Sequence, residues 1–227
     1  MQRSQKADIG ISVDPDSDRL VIITEKGEPF IEENTITTVI RNIFKNAKSK
    51  NKYATVNLST TRAVDDVAKE FNGKIFRSPV GEINVVREMK RTDSIVGGEG
   101  SGGVIIPDLH YGRDAMAGIL FVLQEFAEFK GTISEYKKSL PEYYITKDKI
   151  TVKENPDATL KEVIKKYRKE NCRITLADGV KLDFSDYWVH LRKSNTEPII
   201  RIITEAGNKK KAEKIQKDFI NNLNIRT

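Results

Sequence analysis

Short apolar runs separated by polar turns organise the chain up to Pro141. "ADIGISV" and "RLVIIT" are typical of two strands, and the apolar spacing in "ENTITTVIRNIFKNAK" predicts a helix. After a polar break near residue 50, strand-like runs alternate with helical ones as far as "GRDAMAGILFVLQEFAEF" and "TISEYKKSL". The helix "TTRAVDDVAKEF" has Thr60 or Thr61 as its expected N-cap. Such alternation favours a mainly parallel, wound sheet.

The order of elements changes after Pro141. A strand-like run and an amphipathic helix are followed by four further strand-like runs, and a charged helix from about 208 to 222 closes the chain. Clustered strands flanked by helices favour a separate α+β domain. The predicted fold class is therefore α/β followed by α+β.

Composition narrows the class of protein without fixing its function. The 227 residues are enough for one large domain or two small ones. Lys and Arg outnumber Asp and Glu by 39 to 33, an excess that suits anionic partners from phosphate esters to nucleic acid. Cys172 is the single cysteine, which excludes an internal disulfide and fits the cytoplasm. No apolar run resembles a membrane span or a signal peptide, so we expect neither.

The segment "DPDSDR", residues 14–19, is here called the acidic loop. It places carboxylates at every second position, Asp14, Asp16 and Asp18, and ends in Arg19. Like charges this close need a cation or hydrogen bonds to offset their repulsion, and carboxylate oxygens suit Mg²⁺. Arg19 in place of a glycine, and strands on both sides, exclude an EF-hand. A solvated acidic turn is the alternative.

The segment "GGEGSGG", residues 97–103, is the glycine-rich loop. From Gly98 it matches G-x-G-x-x-G, but the strand-like run "VIIPD" follows where a dinucleotide site needs a helix. A carboxylate on Glu99 and a hydroxyl on Ser101 suit neighbouring sugar hydroxyls. A glycine-rich turn without a ligand is the alternative.

The segment "RKSNTEPIIR", residues 192–201, is the basic loop. Arg192, Ser194, Asn195 and Thr196 offer a guanidinium, two hydroxyls and an amide, which is a donor set for a phosphate dianion. Arg201 adds a second cation. A polar turn before an edge strand is the alternative.

The two histidines and the cysteine support weaker hypotheses. His110, in "LHYGRD", is a candidate proton shuttle, although a lone histidine is more often structural. Packing roles are expected for His190 and Cys172.

The three loops, in this order, strongly resemble those of the α-D-phosphohexomutase family, which includes phosphoglucomutase/phosphomannomutase and phosphoglucosamine mutase. The resemblance covers essentially the whole chain, with "SPVGEINVV" and "PDLHYGRDAM" between the loops. It implies four domains around one cleft. Residues 1–48 would be the C-terminal part of domain two, 49–140 would be domain three, and 141–227 would be a domain four similar to the TATA-binding protein.

The resemblance also implies a role for each loop. In the family, a phosphoserine in domain one exchanges phosphoryl groups with a hexose phosphate through a bisphosphorylated sugar. Asp14, Asp16 and Asp18 would hold Mg²⁺ beside that phosphoserine, and Arg19 would neutralise charge. Glu99 and Ser101 would bind sugar hydroxyls. The phosphate that is not transferring would be held by Arg192, Ser194, Asn195, Thr196 and Arg201.

Two features depart from the family pattern. Many members carry a histidine after the glycine-rich loop, where this chain has Gly103, so the proton-transfer group is open and His110 is not a secure substitute. The serine loop is absent from the sequence.

We therefore expect the C-terminal portion of a mutase, inactive without N-terminal domains in cis or in trans. The alternative is a natural short phosphosugar-binding protein or a subunit that completes a split mutase. A nucleic-acid binder would leave the three loops unexplained.

Overall fold

The computed structural model describes residues 7–48, 51–152, 155–194 and 197–222. They form two compact units, Met1–Pro141 and Glu142–Thr227. Each unit has its own apolar core. Within the described part of the chain, no helix is both long and apolar enough to cross a membrane.

The first unit begins with a hairpin and continues with alternating helices and strands. Strands β1 (Ile9–Val13) and β2 (Leu20–Thr24) pair antiparallel, with Val13 opposite Leu20. The elements that follow are α1 (Glu32–Asn46), β3 (Tyr53–Asn57), α2 (Ala63–Glu70), β4 (Lys74–Ser78), α3 (Glu82–Thr92), β5 (Val96–Gly98), β6 (Val104–Ile105), α4 (Ala115–Glu128) and α5 (Ile133–Ser139).

A four-stranded sheet in the order β4-β3-β5-β6 forms the centre of this unit. Strand β3 runs parallel to β4 and β5, and β6 is antiparallel to β5. The predicted α/β class is confirmed, with one antiparallel edge. That edge arises because only the short glycine-rich loop joins β5 to β6, and a parallel connection needs a longer crossover.

The expected cap of helix α2 was wrong. The N-cap is Arg62, which makes no side-chain capping bond. Thr61 Oγ1 accepts a hydrogen bond from the Ala63 N–H at 3.1 Å, one residue outside the cap. Thr60 is fully buried, and its hydroxyl donates to Asn57 Oδ1 at 3.1 Å. Local hydrogen bonds therefore engage both hydroxyls, that of Thr60 within the β3–α2 connection and that of Thr61 at the first residue of the helix.

One apolar core joins the hairpin and α1 to the sheet. Fully or nearly fully buried side chains from β2, α1, β3 and β5 meet in it, among them Leu20, Ile22, Ile36, Val39, Ile40, Phe44, Val56 and Val96. Burial of this stripe explains α1, whose apolar residues recur at helical spacing. Residues 20–44, which were predicted to belong to the end of a preceding domain, thus share the core of the following sheet.

The second unit is an antiparallel α+β fold, as predicted. Its sheet has the order β7-β11-β10-β9-β8, and its core includes Val163, Val189, Leu191 and Phe219. The elements are β7 (Tyr144–Thr151), α6 (Pro156–Tyr167), β8 (Arg173–Thr175), β9 (Val180–Asp183), β10 (Tyr187–Lys193), β11 (Ile199–Ala206) and α7 (Lys209–Asn222).

Candidate functional site

The hairpin β1–β2 gathers the three aspartates of the acidic loop. One carboxylate oxygen from each of Asp14, Asp16 and Asp18 lies within 4.8 Å of the others. Asp14 Oδ1 shapes the turn, because it accepts hydrogen bonds from the N–H groups of Asp18 at 3.1 Å and Arg19 at 3.0 Å. The period-two spacing in the sequence therefore becomes a real cluster of oxygen atoms.

Asp18 is the most buried carboxylate of the acidic loop. Its side chain is 18% exposed, and Oδ2 lies 2.5 Å from Arg113 Nη2. Oδ1 is buried without a hydrogen-bond donor among the described residues, and Arg19 Nε lies 3.7 Å away. Burial raises the pKa of Asp18, and the Asp16 and Asp14 carboxylates add to this against the Arg113 charge. A hard divalent cation would relieve both the repulsion and the unpaired oxygen, so the donor set fits Mg²⁺.

The other two members of the acidic loop are more accessible. Burial acts to raise the pKa of Asp14, but hydrogen bonds from the Arg19 and Asp18 N–H groups outweigh it and lower that pKa. Asp16 is exposed. Arg19 has a half-exposed side chain, with Nε 3.8 Å from Asp14 Oδ2. The loop thus presents carboxylate oxygens and one accessible cation at the same place.

The glycine-rich loop docks beside the acidic loop. The Leu20 N–H, at the start of β2, donates to the Gly102 carbonyl at 3.2 Å. Gly102 has φ +90°, a left-handed conformation that favours glycine, and a Cβ there would approach the Leu20 backbone. The Ala115 N–H donates to the Ser17 carbonyl at 3.3 Å. Three segments that are distant in sequence therefore meet at one end of the hairpin.

Glu99 is buried, in contrast to the expectation that the glycine-rich loop presents it. Its Oε1 accepts hydrogen bonds from Asn57 Nδ2 at 2.8 Å and the Gly81 N–H at 3.1 Å. Its Oε2 accepts from Arg113 Nη1 at 3.2 Å. Ser101 is exposed. A carboxylate has about four acceptor sites, so Oε2 keeps capacity for a further donor, and sugar binding by Glu99 stays a prediction.

Arg113 connects the two loops and was missed by the sequence analysis. Arg113 contacts Glu82 as well as Asp18 and Glu99. Its side-chain Nε lies 3.3 Å from Glu82 Oε2, and its backbone N–H donates to Glu82 Oε1 at 2.9 Å. Its side chain is 15% exposed. Glu82 lies in "SPVGEINVV" and Arg113 in "PDLHYGRDAM", so these contacts link both segments to the loops. In the sequence Arg113 is marked only by its place one residue before Asp114, the cap residue of the apolar helix α4.

His110 lies at the N-terminal end of α4. Its Nε2 is 3.0 Å from Asp114 Oδ2, and the side chain is 52% exposed. Asp114 caps the helix by accepting from the Ala117 N–H at 3.0 Å. That hydrogen bond, together with the one from His110, lowers the pKa of Asp114. The proton-shuttle hypothesis for His110 stays a prediction.

Four residues of the basic loop, Arg192, Lys193, Ser194 and Arg201, line an open cleft of ≈ 740 Å³ within the second unit. Arg192, Ser194 and Arg201 are among its walls, and Arg192 pairs with Arg201 across β10 and β11. Asn195 and Thr196 lie outside the described residues. Lys161 and Lys193 add positive charge to the cleft.

Two aspartates balance the cations of this cleft. Arg192 Nε lies 2.7 Å from Asp178 Oδ2, and Lys193 Nζ lies 2.9 Å from Asp157 Oδ1. A planar guanidinium held through Nε keeps its two terminal nitrogens for a second, bidentate partner. The cleft is thus suited to an anion that can compete with carboxylates.

His190 and Cys172 both fit the expected packing roles. His190 is fully buried and its Nε2 lies 2.7 Å from the Asp178 carbonyl oxygen. Burial lowers the pKa of His190 to about 4, so the ring is neutral at pH 7. Cys172 is partly buried, and burial raises the pKa of its thiol.

Comparison with family models decides the family. Residues 32–144 match the model of phosphoglucomutase/phosphomannomutase, alpha/beta/alpha domain III. Residues 146–222 match the model of the phosphoglucomutase/phosphomannomutase C-terminal domain. The chain belongs to the α-D-phosphohexomutase family. The domain III match begins at residue 32, inside the segment predicted to end domain two.

Related phosphohexomutase sequences are similar over most of this chain. A phosphoglucomutase/phosphomannomutase of Thermococcus kodakarensis is 34% identical over 206 residues, covering 91% of the chain and 45% of the relative. A probable phosphoglucosamine mutase of Methanopyrus kandleri is 31% identical, covering 96% of the chain and 48% of the relative. The chain therefore spans about half the length of the curated relatives it matches.

Solved phosphohexomutase structures share the fold. A phosphoglucomutase/phosphomannomutase family protein of Burkholderia thailandensis superposes with a TM-score of 0.78 at 22% identity, over 96% of this chain and 46% of the other. An N-acetylphosphoglucosamine mutase of Aspergillus fumigatus, solved with GlcNAc-6P and magnesium, gives 0.69 at 16% identity, over 97% and 49%. The predicted family and fold class are confirmed.

Proposed function

We propose that this chain supplies three binding loops of a phosphohexomutase that interconverts hexose 1-phosphate and hexose 6-phosphate. The observation that carries the proposal is the hydrogen-bonded junction of the acidic and glycine-rich loops, where Leu20 N–H meets the Gly102 carbonyl. The junction sets an ionised oxygen cluster next to an exposed hydroxyl, Ser101. A sugar phosphate needs both kinds of group. The phosphoryl-carrying serine would come from N-terminal domains, in cis or in trans.

Asp14, Asp16 and Asp18 would hold Mg²⁺ in the acidic loop. The ion, when bound, would neutralise charge on the transferring phosphoryl group. Arg19 acts at the same place, because its half-exposed guanidinium lies beside Asp14 and Asp18. A similar mutase of Aspergillus fumigatus was solved in complex with magnesium, which supports the choice of cation.

The other two loops position the substrate. Ser101 would bind a sugar hydroxyl, and Glu99 would accept from a second one through Oε2. In the second unit, Arg192 and Arg201 would hold the phosphate that is not transferring, with Ser194 and the residues 195–196 as further donors. Phosphoryl transfer depends mainly on such positioning and charge neutralisation. The proposal covers the phosphates of glucose, mannose and glucosamine alike.

A mutase assay tests whether turnover by this chain requires N-terminal domains. The purified chain is incubated with glucose 1-phosphate, glucose 1,6-bisphosphate and Mg²⁺, and glucose 6-phosphate is measured. We expect no turnover from the chain alone, and turnover when the N-terminal half of the Thermococcus kodakarensis relative is added. Asp16→Asn should abolish the restored turnover. EDTA-sensitive turnover by the highly purified chain alone would contradict the proposal, because the chain would then hold its own phosphoryl acceptor.

A further inference from the structure

Arg113 forms ion pairs with one carboxylate of the acidic loop and one of the glycine-rich loop. Its guanidinium contacts Asp18 of the acidic loop at 2.5 Å, Glu99 of the glycine-rich loop at 3.2 Å and Glu82 of helix α3 at 3.3 Å. A guanidinium carries five N–H donors in a rigid fork, so it can serve carboxylates that lie in different directions. Since Arg113 is largely buried, each of these contacts acts with little screening by water.

The two carboxylate oxygens of Asp18 have different surroundings. Arg113 holds Oδ2, while Oδ1 is buried without a donor among the described residues. A cation in the acidic loop would therefore meet Asp18 through Oδ1 and draw electron density away from the Arg113 pair. The guanidinium would then bind Glu82 and Glu99 more strongly.

Gly103 makes room for this arginine. A Cβ at Gly103 would overlap the Arg113 Cδ and lie 3.0 Å from its Cγ. Gly103 does not have a left-handed backbone, so only this space, and not the conformation, requires glycine here. The aliphatic stem of Arg113 thus fills the space that a side chain at position 103 would need.

We propose that Arg113 is a positioning residue that couples cation binding in the acidic loop to the stability of the glycine-rich loop. The inference rests on the proposed function, because it needs a cation at Asp14, Asp16 and Asp18. Arg113 fixes Asp18 on one side and Glu99 on the other. A cation on the acidic loop therefore strengthens the hydrogen bonding of residues 99–103, which carry the sugar-binding groups.

Hydrogen exchange with Mn²⁺ tests this coupling. Mn²⁺ shares the oxygen-ligand preference of Mg²⁺, and its binding is followed by electron paramagnetic resonance. In the wild type we expect exchange of the amides at 99–103 to slow by about threefold or more at Mn²⁺ saturation. Arg113→Lys keeps the positive charge but loses the planar, forked arrangement of N–H donors. Arg113→Met loses both the charge and the donors. Both variants should show no slowing when each is compared at its own Mn²⁺ saturation.

Two further variants keep the test decisive. Gly103→Ala alters no charged group but displaces the Arg113 stem, so it should also lose the response even if Arg113→Met fails to fold. Arg91→Met is the matched control, because Arg91 is exposed and its ion pair among the described residues is a local one with Glu88 in helix α3. It should respond as the wild type does. None of these substitutions removes an atom of the Leu20 to Gly102 backbone hydrogen bond, so the differences are expected to report the guanidinium.

The outcomes separate this inference from the proposed function. Mn²⁺ binding by the wild type without slowed exchange at 99–103 would overturn the coupling and leave the cation site intact. Unchanged slowing in Arg113→Lys and Gly103→Ala would also overturn it. No binding by the wild type at millimolar Mn²⁺ would overturn the cation site and, with it, the coupling.

Discussion

Asp18 and Arg113 illustrate what single residues contribute to the site. The clustering of Asp14, Asp16 and Asp18 could be predicted, because alternate residues in a short hairpin connection stay close in space. Arg113 could not, since its three partners come from separate segments and only the folded chain brings them together. Burial of Glu99 was unpredictable for the same reason, because its donors are Asn57, Gly81 and Arg113.

The acidic loop leads to a prediction about one exposed carboxylate. Asp16→Asn removes a ligand charge without disturbing the turn, which the Asp14 hydrogen bonds maintain. We expect the Mn²⁺ dissociation constant to rise about tenfold or more, as removal of a charged ligand costs at least ~1.4 kcal/mol in such sites. Paramagnetic resonance titration measures it. Asp148→Asn, at an exposed site in the second unit, is the control, and equal affinities for the wild type and Asp16→Asn would exclude Asp16 as a ligand.

His190 leads to a prediction about pH. Burial lowers its pKa to about 4 from an ordinary value of 6.5. Above pH 6.5 the ring is neutral in both states and its contribution to stability is fully present. As the pH falls from 6.5 towards 4, the unfolded chain takes up the proton first, and stability is lost, approaching ~3 kcal/mol below pH 4.

Urea unfolding across this pH range measures the His190 effect. His190→Gln should flatten the pH dependence of the free energy of unfolding between pH 6.5 and 4. His110→Gln, at an exposed histidine, should keep the wild-type dependence. An identical slope in the wild type and His190→Gln would show that His190 is not the group responsible.

At the scale of elements, the boundaries of helices depend on which hydrogen bonds the tertiary structure leaves free. Thr132 and Glu135 form a capping box at the start of helix α5. Helix α2 has no side-chain bond at its cap residue Arg62, because Thr60 bonds to Asn57 and Thr61, which accepts from the Ala63 N–H, stands one residue before the cap. A capping pattern in the sequence therefore predicts a helix start only to within about one or two residues.

The capping box of α5 gives a stability prediction. Thr132→Ala removes the acceptor for the Glu135 N–H, a contact of 3.3 Å, and should lower the free energy of unfolding by about 1 kcal/mol. Denaturant unfolding monitored by circular dichroism checks it. Glu135→Gln is the control, since glutamine can also complete a capping box. A larger loss of unfolding free energy in Glu135→Gln than in Thr132→Ala would show that the Thr132 hydroxyl is not the main stabilising group of the capping box.

At the scale of the whole molecule, alternating periodicities were enough to predict an α/β unit followed by an α+β unit. They could not predict that residues 20–44 share the core of the following sheet, because that depends on long-range packing of Leu20, Ile36 and Phe44. The assignment of residues 1–48 to domain two stays a prediction. The chain spans about half the length of the curated relatives it matches.

Binding of a sugar phosphate is the central claim, and calorimetric titration with glucose 1-phosphate tests it most directly. We expect measurable heat for the wild type and at least a tenfold weaker affinity for Arg192→Ala, because the guanidinium held by Asp178 faces the cleft. Arg168→Ala is the matched control, at an exposed arginine outside the cleft, and should bind as the wild type does. Equal heats for the wild type and Arg192→Ala, or no heat for the wild type, would contradict the account.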